Sequence, residues 1–552
     1  MNTSSSLSPT TAAALGGIVV DWREAASLPT LEVRTLSPPA GLRLARYTAA
    51  AALMFLLLAH LGLLTFADPD MWHEMALARE IAATGTMPLT DSYAYTPTVA
   101  PVVHHEWGTG AVLYAAASFG GAPAVMLLKY ALTFGAVGLA FAAARRRGAS
   151  WETIFTLAPA MILAGVIGFT TVRAQLFTLF FLAWLLYELT DEMRESIVER
   201  SRSLDAAPPR AIAWRRLLLW APIFVVWLNV HAGFVVGAGI AALHATERLV
   251  RRQSVGHWTV AGIAMAALVS VNPYGTAYYG YLLHGLTMPR PLVTEWQPLW
   301  SAEPTMFRVY LISLFVVLYV GLKLGWRRLP GLAVVLITAY LALRHTRHVS
   351  LYFIVWMSLV PGYVERTPLG TLIRSIWLNR RRWVAGVSAL IAGFALVQAT
   401  LAKPWRLVVP ATVADEGIGR PVYPVGAVDY LRAVGFRGNL FTPFVPGGYC
   451  LYQLAPQVKV SLDGRYEVAY QPGVLEENVD FYAAGANWRD VLAKYPTDVV
   501  LAPRSAQVTE RLARETNWKQ VYADPVYVLF ARPGLDLPSV EHAAAVDART
   551  FP

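Results

Sequence analysis

The sequence contains a single cysteine, Cys450. One thiol excludes an intrachain disulfide and leaves no set of cysteines to ligate a metal. Charge is scarce as well. Only 15% of the 552 residues are Asp, Glu, Lys or Arg, against about 25% in an ordinary soluble chain. There is no phosphate loop of the Walker type and no dinucleotide fingerprint, so nothing marks a nucleotide site of those kinds. No internal repeat or low-complexity segment is obvious. The N-terminal stretch does not read as a cleavable leader, because it is polar and rich in Ser and Thr and its first apolar run is too late and too long.

In place of charge the chain has apolar runs. Hydrophobic residues make up 56% of it, and one long run follows another through the N-terminal four hundred or so residues. About 20 apolar residues span the hydrocarbon of a bilayer. The pattern predicts a polytopic α-helical membrane protein with about 11–13 transmembrane helices and a small C-terminal α/β domain. Residues 1–46 are expected to form a disordered cytoplasmic tail, 47–401 the membrane region with a first external loop at 68–105, and 402–552 an extracytoplasmic domain. The net charge of +10 fits positive cytoplasmic loops rather than a nucleic-acid partner.

Charge also predicts topology. Arg43 and Arg46 precede the first apolar run, 47–67, which places the N-terminus in the cytoplasm and Asp68 outside. The next basic cluster is Arg145, Arg146 and Arg147. Two apolar runs precede it, 106–119 and 122–144, and the first is short. They do not count cleanly: the charges require an extra crossing or a membrane-embedded helix within 68–144. Beyond this point apolar runs come in pairs between basic clusters: 152–169 with 174–190, 217–229 with 231–249, 257–272 with 307–325, and 329–343 with 349–364. Each pair leaves the basic side and returns, so 170–173, 230, 273–308 and 344–348 are predicted to be external. A last span, 383–401, carries the chain out.

The tail has a soluble pattern. Helices are predicted at 426–434, 473–484, 487–495 and 505–515, and strands at 439–442, 458–462, 498–502, 519–522 and 526–531. The alternation suggests a small α/β sandwich. Pro443, Pro446, Gly447 and Gly448 are expected to break the chain before another helix. Asp463-Gly464-Arg465 reads as a tight turn after a strand, with a role on the membrane-facing side as the alternative.

The first external loop is the most polar part of the membrane half. It begins Asp68-Pro69-Asp70-Met71-Trp72-His73-Glu74, continues as an amphipathic helix to Thr84, and ends His104-His105-Glu106-Trp107. Carboxylates at the membrane edge lose solvation and become more basic, which suits them to accept a proton. The alternative is that Asp70, or less readily Asp68, simply caps the helix that follows. Asp68, His105 and Glu106 are possible ligands of a divalent metal, although adjacent residues on a helix point in different directions. Arg344, Arg347 and His348 place arginine forks and a histidine in an external turn. They suit either a snorkelling belt or an anionic headgroup. Glu295 beside Trp296 suits sugar stacking or an interface belt. Asn229 and His231 fall at an outer turn, where they either meet a ligand or satisfy backbone groups.

Several of these segments together resemble a known superfamily. Asp68-Pro69-Asp70-Met71-Trp72-His73, then Gly85-x-x-Pro88-x-x-Asp91, then Glu106-Trp107, is similar to the first extracytoplasmic loop of bacterial GT-C-type membrane glycosyltransferases, relatives of the protein mannosyltransferases and lipid A aminoarabinose transferases. Arg173-Ala174-Gln175, Trp227-Leu228-Asn229-Val230-His231-Ala232-Gly233, Asn272-Pro273-Tyr274-Gly275, Glu295-Trp296 and Asp463-Gly464-Arg465 extend the resemblance over most of the chain, closest to a poorly characterised bacterial branch. The chain departs from that branch in having Ala174 where Arg-Pro-Gln is common and Ala232 where His-Gly-Gly is common.

The resemblance implies a multi-pass protein of the bacterial inner membrane. Such enzymes transfer a sugar from a polyprenyl-phosphate donor to a glycan, lipid or protein acceptor on the outer face, with inversion. By position it casts Asp68 as the base, with Asp70 as its neighbour. Arg344, Arg347, Arg173 and His348 are then candidates for the donor phosphate. His73, Glu74, Asp91, His105, Glu106, Asn229, His231, Glu295 and Trp296 are candidates for substrate contact. A divalent metal is compatible with the resemblance but not required by it. Two other readings keep the same fold: a non-catalytic membrane assembly component, and a transporter of lipid-linked sugars. A transporter calls for broken helices and paired polar residues near the bilayer midplane, whereas the ionisable residues here gather at one face.

Overall fold

A computed structural model describes residues 38–62, 65–198, 210–412, 420–540 and 542–551, and the side chains of these except 191–198 and 210–217. Most of the expected tail, 1–46, lies outside the described residues. The first helix, Ala40–Gly62, starts directly after Pro38 and Pro39. Proline has no N–H to give a helix interior but suits the residues just before it. Arg43 and Arg46 therefore ride on the helix instead of preceding it.

The protein is a multi-pass membrane protein. Among the described residues five helical segments are long and apolar enough to cross a bilayer: Ala40–Gly62, Trp107–Arg146, Trp151–Phe169, Pro304–Leu324 and Arg381–Ala402. Shorter apolar helices, among them Gln175–Thr190, Leu218–Val230, Gly256–Leu268 and Leu332–Arg344, complete the bundle. Val349–Val364 is buried on every side, as a helix that is apolar all round must be. The first and last spans pack along each other, so closely that a Cβ on Gly62 would stand 2.9 Å from that of Ala402.

The stretch at 68–144 that does not count cleanly ends in a bent helix. Trp107–Arg146 is one 40-residue element bent at Gly121, where φ is 59° and Pro123 follows. Straight, it would be about 60 Å long, twice the hydrocarbon thickness of about 30 Å. Before the bend, Tyr114, Ala116 and Ala117 pack against the buried cluster that the C-terminal domain shares with the first loop. The stretch after it, 122–146, is by itself long enough to span a bilayer.

The C-terminal α/β domain holds a five-stranded sheet in the order Val458–Val460, Gly438–Phe441, Val499–Pro503, Tyr527–Ala531, Lys519–Ala523. The first three strands are parallel and the last two antiparallel to their neighbours. Helices Val425–Ala433, Val474–Tyr482, Trp488–Lys494 and Gln507–Leu512 fall close to the predicted segments. One prediction needs correcting. Pro446, Gly447 and Gly448 do not break the chain but lie within the helix Phe444–Leu454. Pro446 falls in the first turn, where no intrahelical N–H is needed. The two glycines let the helix press against Leu462 O on one side and Pro69 O on the other.

That contact joins the two halves. The first-loop helix, Pro69–Thr84, gives Met71, Trp72 and Met75 to the same buried cluster as Leu440, Val460 and Leu529 of the sheet. Trp72 meets Tyr449 edge-on at 5.1 Å and Tyr423 at 5.7 Å. The first loop is thus built into the domain that follows the last span.

Candidate functional site

A cavity of about 510 Å³ lies between the underside of the C-terminal domain and the end of the helical bundle. Its wall gathers residues from segments far apart in the chain: Asp68 to Glu74, His104 to Trp107, Arg173 to Gln175, His231, Arg290 to Trp296, Arg347 and His348, and Gly464 to Val468. The turns at 170–173, 230–233, 289–298 and 345–348 thus all reach one end of the bundle.

Asp68 stands at the entrance to the first-loop helix. It caps it by accepting the N–H of Asp70 at 3.0 Å. Pro69 at the first position sets the helical φ and needs no N–H partner. Capping and placement in the cavity are therefore roles of one carboxylate. Burial raises the pKa of Asp68, and Arg173 and the Thr171 hydroxyl draw it partway back. Burial and then the charge of Asp68 raise Asp70 well above the usual carboxylate value. One turn on, Glu74 is buried, and no described hydrogen-bond donor reaches its carboxyl. Burial and the facing Glu106 raise its pKa well above normal.

Burial alone would raise the pKa of Glu106, but its contacts with His105 and His231 bring it well below the ordinary value. Glu106 Oε1 stands 3.2 Å from His105 Nε2 and 3.3 Å from His231 Nε2. The tautomer of His231 follows from its other nitrogen. The Gly233 N–H donates to His231 Nδ1 at 3.2 Å. Thr178 Oγ1 lies 2.6 Å from the same atom and accepts from Trp227 Nε1 at 2.9 Å. Nδ1 is therefore an acceptor, and the neutral ring carries its hydrogen on Nε2, toward Glu106. Burial depresses the His231 pKa to about 4, which keeps it neutral. The Trp-x-Asn-x-His-x-Gly pattern is thus a support for one histidine. Its Asn229 accepts from Trp107 Nε1 at 2.9 Å, and any side chain at 233 would strike Thr178 and His231.

Opposite the carboxylates lies a guanidinium pair. Arg173 donates to Glu295 Oε2 at 2.6 Å and to Gln175 Oε1 at 2.9 Å. Arg347 Nη1 stands 3.2 Å from Glu295 Oε1, and its backbone carbonyl accepts from Gln175 Nε2 at 3.0 Å. Two guanidinium groups lie over the Trp296 ring, Arg347 at 4.6 Å and Arg290 at 4.4 Å, a cation–π arrangement. Arg290 is also paired with both carboxylate oxygens of Glu467, at 2.8 and 2.6 Å.

The roof comes from Asp463-Gly464-Arg465. This is more than a tight turn. Asp463 accepts from Arg465 Nε at 2.9 Å, from Nη2 at 2.6 Å and from Tyr470 OH at 2.7 Å. Arg465 Nη1 pairs with Asp91 of the first loop. Burial would raise Asp463, but Arg465 more than offsets it, so the carboxylate is held well below its usual pKa. Gly464 passes so close to the first-loop helix that a Cβ there would stand 2.9 Å from His73 Cε1 and 3.2 Å from Asp70 Oδ1. Burial lowers His73 to about 4.

Of the residues singled out in the sequence, Asp68, Asp70, His73, Glu74, His105, Glu106, Arg173, His231, Glu295, Trp296, Arg347 and His348 line the cavity. Three do not. Asp91 is consumed by Arg465, and Asn229 holds Trp107 from behind. Arg344 is exposed at the end of Leu332–Arg344. The extended backbone at His345 (φ −146°) turns the chain there, so Arg344 and Arg347 point to different surroundings. Sequence reasoning missed Arg290 and Glu467, which lie outside the motifs, and Thr178, which sits in an apolar run. The described residues bring no three His, Cys, Asp or Glu side chains into ligating geometry. Asp68, His105 and Glu106 therefore do not fit a metal in this arrangement.

Solved structures share the fold. The apo oligosaccharyltransferase of Archaeoglobus fulgidus superposes with a TM-score of 0.55 at 11% identity, over 89% of this chain and 75% of that one. The archaeal oligosaccharyltransferase AglB from Archaeoglobus fulgidus, in complex with an inhibitory peptide and a dolichol-phosphate, gives 0.55 at 10% identity, over 85% and 70%. ArnT from Cupriavidus metallidurans bound to undecaprenyl phosphate gives 0.49 at 14%, over 88% and 97%. No protein-family model matches the sequence, and no curated protein matches it. The likeness is one of fold, and the fold is that of the GT-C-type membrane glycosyltransferases.

Proposed function

We propose that the protein transfers a sugar from a polyprenyl-phosphate-linked donor to a glycan, lipid or protein acceptor, with inversion, using Asp68 as the base. The observation that carries this reading is the pairing in one cavity of buried carboxylates with a preorganised arginine pair. The acceptor hydroxyl gives its proton to Asp68, and its oxygen attacks the anomeric carbon. The bond from that carbon to the phosphate oxygen breaks, and the electron pair leaves with the phosphate. The second negative charge that develops there meets Arg173 and Arg347, fixed donors aimed where charge appears. The desolvation that raises Asp68 makes it a better proton acceptor. Glycosyltransferase relatives of the same fold, whose solved complexes contain dolichol-phosphate and peptide, support the donor and acceptor classes.

In this reading the cavity and the C-terminal domain face the extracytoplasmic side of a bacterial inner membrane, with the N-terminus in the cytoplasm. Basic residues at the opposite ends of the spans support it, Arg145 to Arg147 and Arg380 to Arg382 among them.

Asp68→Asn tests the assignment. It keeps a capping oxygen but removes the base. Transfer in a complementation assay should fall by about 10²-fold or more, with the protein still folded and inserted. Full complementation by a folded Asp68→Asn protein would reject the catalytic reading in favour of an assembly role.

A further inference from the structure

Four arginines and no lysine line the cavity: Arg173, Arg290, Arg347 and Arg465. Each is already engaged by a carboxylate. Arg465 is shared by Asp463 and Asp91 and is almost wholly buried. Arg290 makes two bonds to Glu467. Arg173 and Arg347 share Glu295. An anion therefore finds no uncommitted cation in the wall and enters only where a carboxylate gives way.

Glu295 is the carboxylate built to do so. It spans two guanidinium groups, as two oxygens of a phosphate would. It sits on a single short turn, Thr294–Trp296, with no buried residue in it, and its side chain is 26% exposed to the cavity. Each guanidinium has one other contact: Arg173 donates to Gln175 Oε1 at 2.9 Å, and Arg347 lies over the Trp296 ring at 4.6 Å. The turn is held by its backbone instead, through the Trp296 carbonyl on His345 Nδ1 at 2.7 Å and the Gln297 carbonyl on the Thr346 N–H at 3.0 Å.

Building on the function proposed above, we propose that Glu295 is an internal stand-in for phosphate: it occupies the Arg173–Arg347 clamp in the resting protein, and a phosphate-bearing ligand binds by displacing it. The residue then sets the selectivity of the clamp. A ligand must bridge both guanidinium groups better than one carboxylate does, and a phosphate, esterified or not, can do so with its free oxygens.

The test compares the full-length wild-type protein with Glu295→Gln in detergent, titrated with inorganic phosphate and, separately, with farnesyl monophosphate. Removing a close competing charge should tighten binding of both by about tenfold or more. Glu295→Asp retains the charge but is one methylene shorter and cannot span both arginines. It should fall between the two and serves if the Gln variant does not fold. Farnesyl phosphate binding tighter than inorganic phosphate in every form marks a lipid source, and equal affinities mark free phosphate; both accord with displacement. If the wild-type protein binds and neither variant binds tighter, displacement is wrong and the phosphate site stands. If no form binds either ligand, the displacement and the phosphate-donor reading fall together.

Discussion

Arg465 of the C-terminal domain reaches into the first loop and pairs with Asp91, the two side chains being 3% and 0% exposed. Asp91 is itself fixed by the N–H groups of Tyr93 and Ala94, at 2.9 and 2.6 Å. Removing one partner of a buried pair leaves a charge in low dielectric and costs about 3–5 kcal/mol. Asp91→Asn and Arg465→Ala should each lower the unfolding midpoint strongly. The double variant should cost less than the sum of the two. Additive losses in a double-mutant cycle would show that the contact is not a working ion pair.

Gly464→Ala should act differently. A methyl group there collides with the His73 ring and crowds Asp70, both of which lie on the helix that Asp68 caps. A displacement of the order of 1 Å at a reacting group costs on the order of 10²-fold in rate. Transfer should fall by that order while the unfolding midpoint changes little. Wild-type activity in the Ala variant would show that the roof does not position the first loop.

The pH profile carries a signed prediction. Activity that needs ionised Asp68 is present above its pKa and lost as pH falls through it. Burial raises that pKa, so the acid limb should lie above the ordinary aspartate value near 3.8. The Thr171 hydroxyl lowers it. Thr171→Val should therefore shift the acid limb to higher pH, with activity on the alkaline plateau little changed. An unshifted limb would argue that Asp68 is not the titrating base.

Thr178→Val removes one hydroxyl with two partners. Trp227 Nε1 loses its acceptor and His231 Nδ1 loses a donor. A buried polar group left unsatisfied costs about 1–3 kcal/mol, and the His231 ring loses the contact that fixes its tautomer. Lower stability and lower transfer should appear together, and Thr178→Ser should restore both. A Ser variant as impaired as Val would place the effect in packing.

Much of this arrangement can be read from local pattern. Hydrophobic periodicity marks the spans, and strand-helix alternation in the tail locates each strand of the five-stranded sheet within a residue or two, because both report which face of an element is buried; the short pair Val408–Val409 and Arg549–Thr550 escapes it. The approach of Asp68, Arg173, His231, Glu295 and Arg347 to one end of the bundle follows from the alternation of basic clusters with apolar pairs. Partner choice is another matter. Nothing near Asp91 says that its cation lies in the tail domain, and nothing near Arg344 says that its helix ends facing away from Arg347. The bend at Gly121 was visible only as a count that did not close. Pro446-Gly447-Gly448 has the composition of a break, yet it lies in a helix whose glycines admit the close approach of two neighbouring backbones.

The shared core of Trp72, Tyr423 and Tyr449 bears on how the protein is made. Asp68 and Asp70 emerge early in synthesis, but the surfaces that bury them and the Arg465 that ties down their loop emerge only after the last span. Until then the acidic loop has no roof and its tryptophan no partners. Under the proposed function, a nascent or truncated chain would therefore lack the walled cavity, which closes only as the C-terminal domain folds.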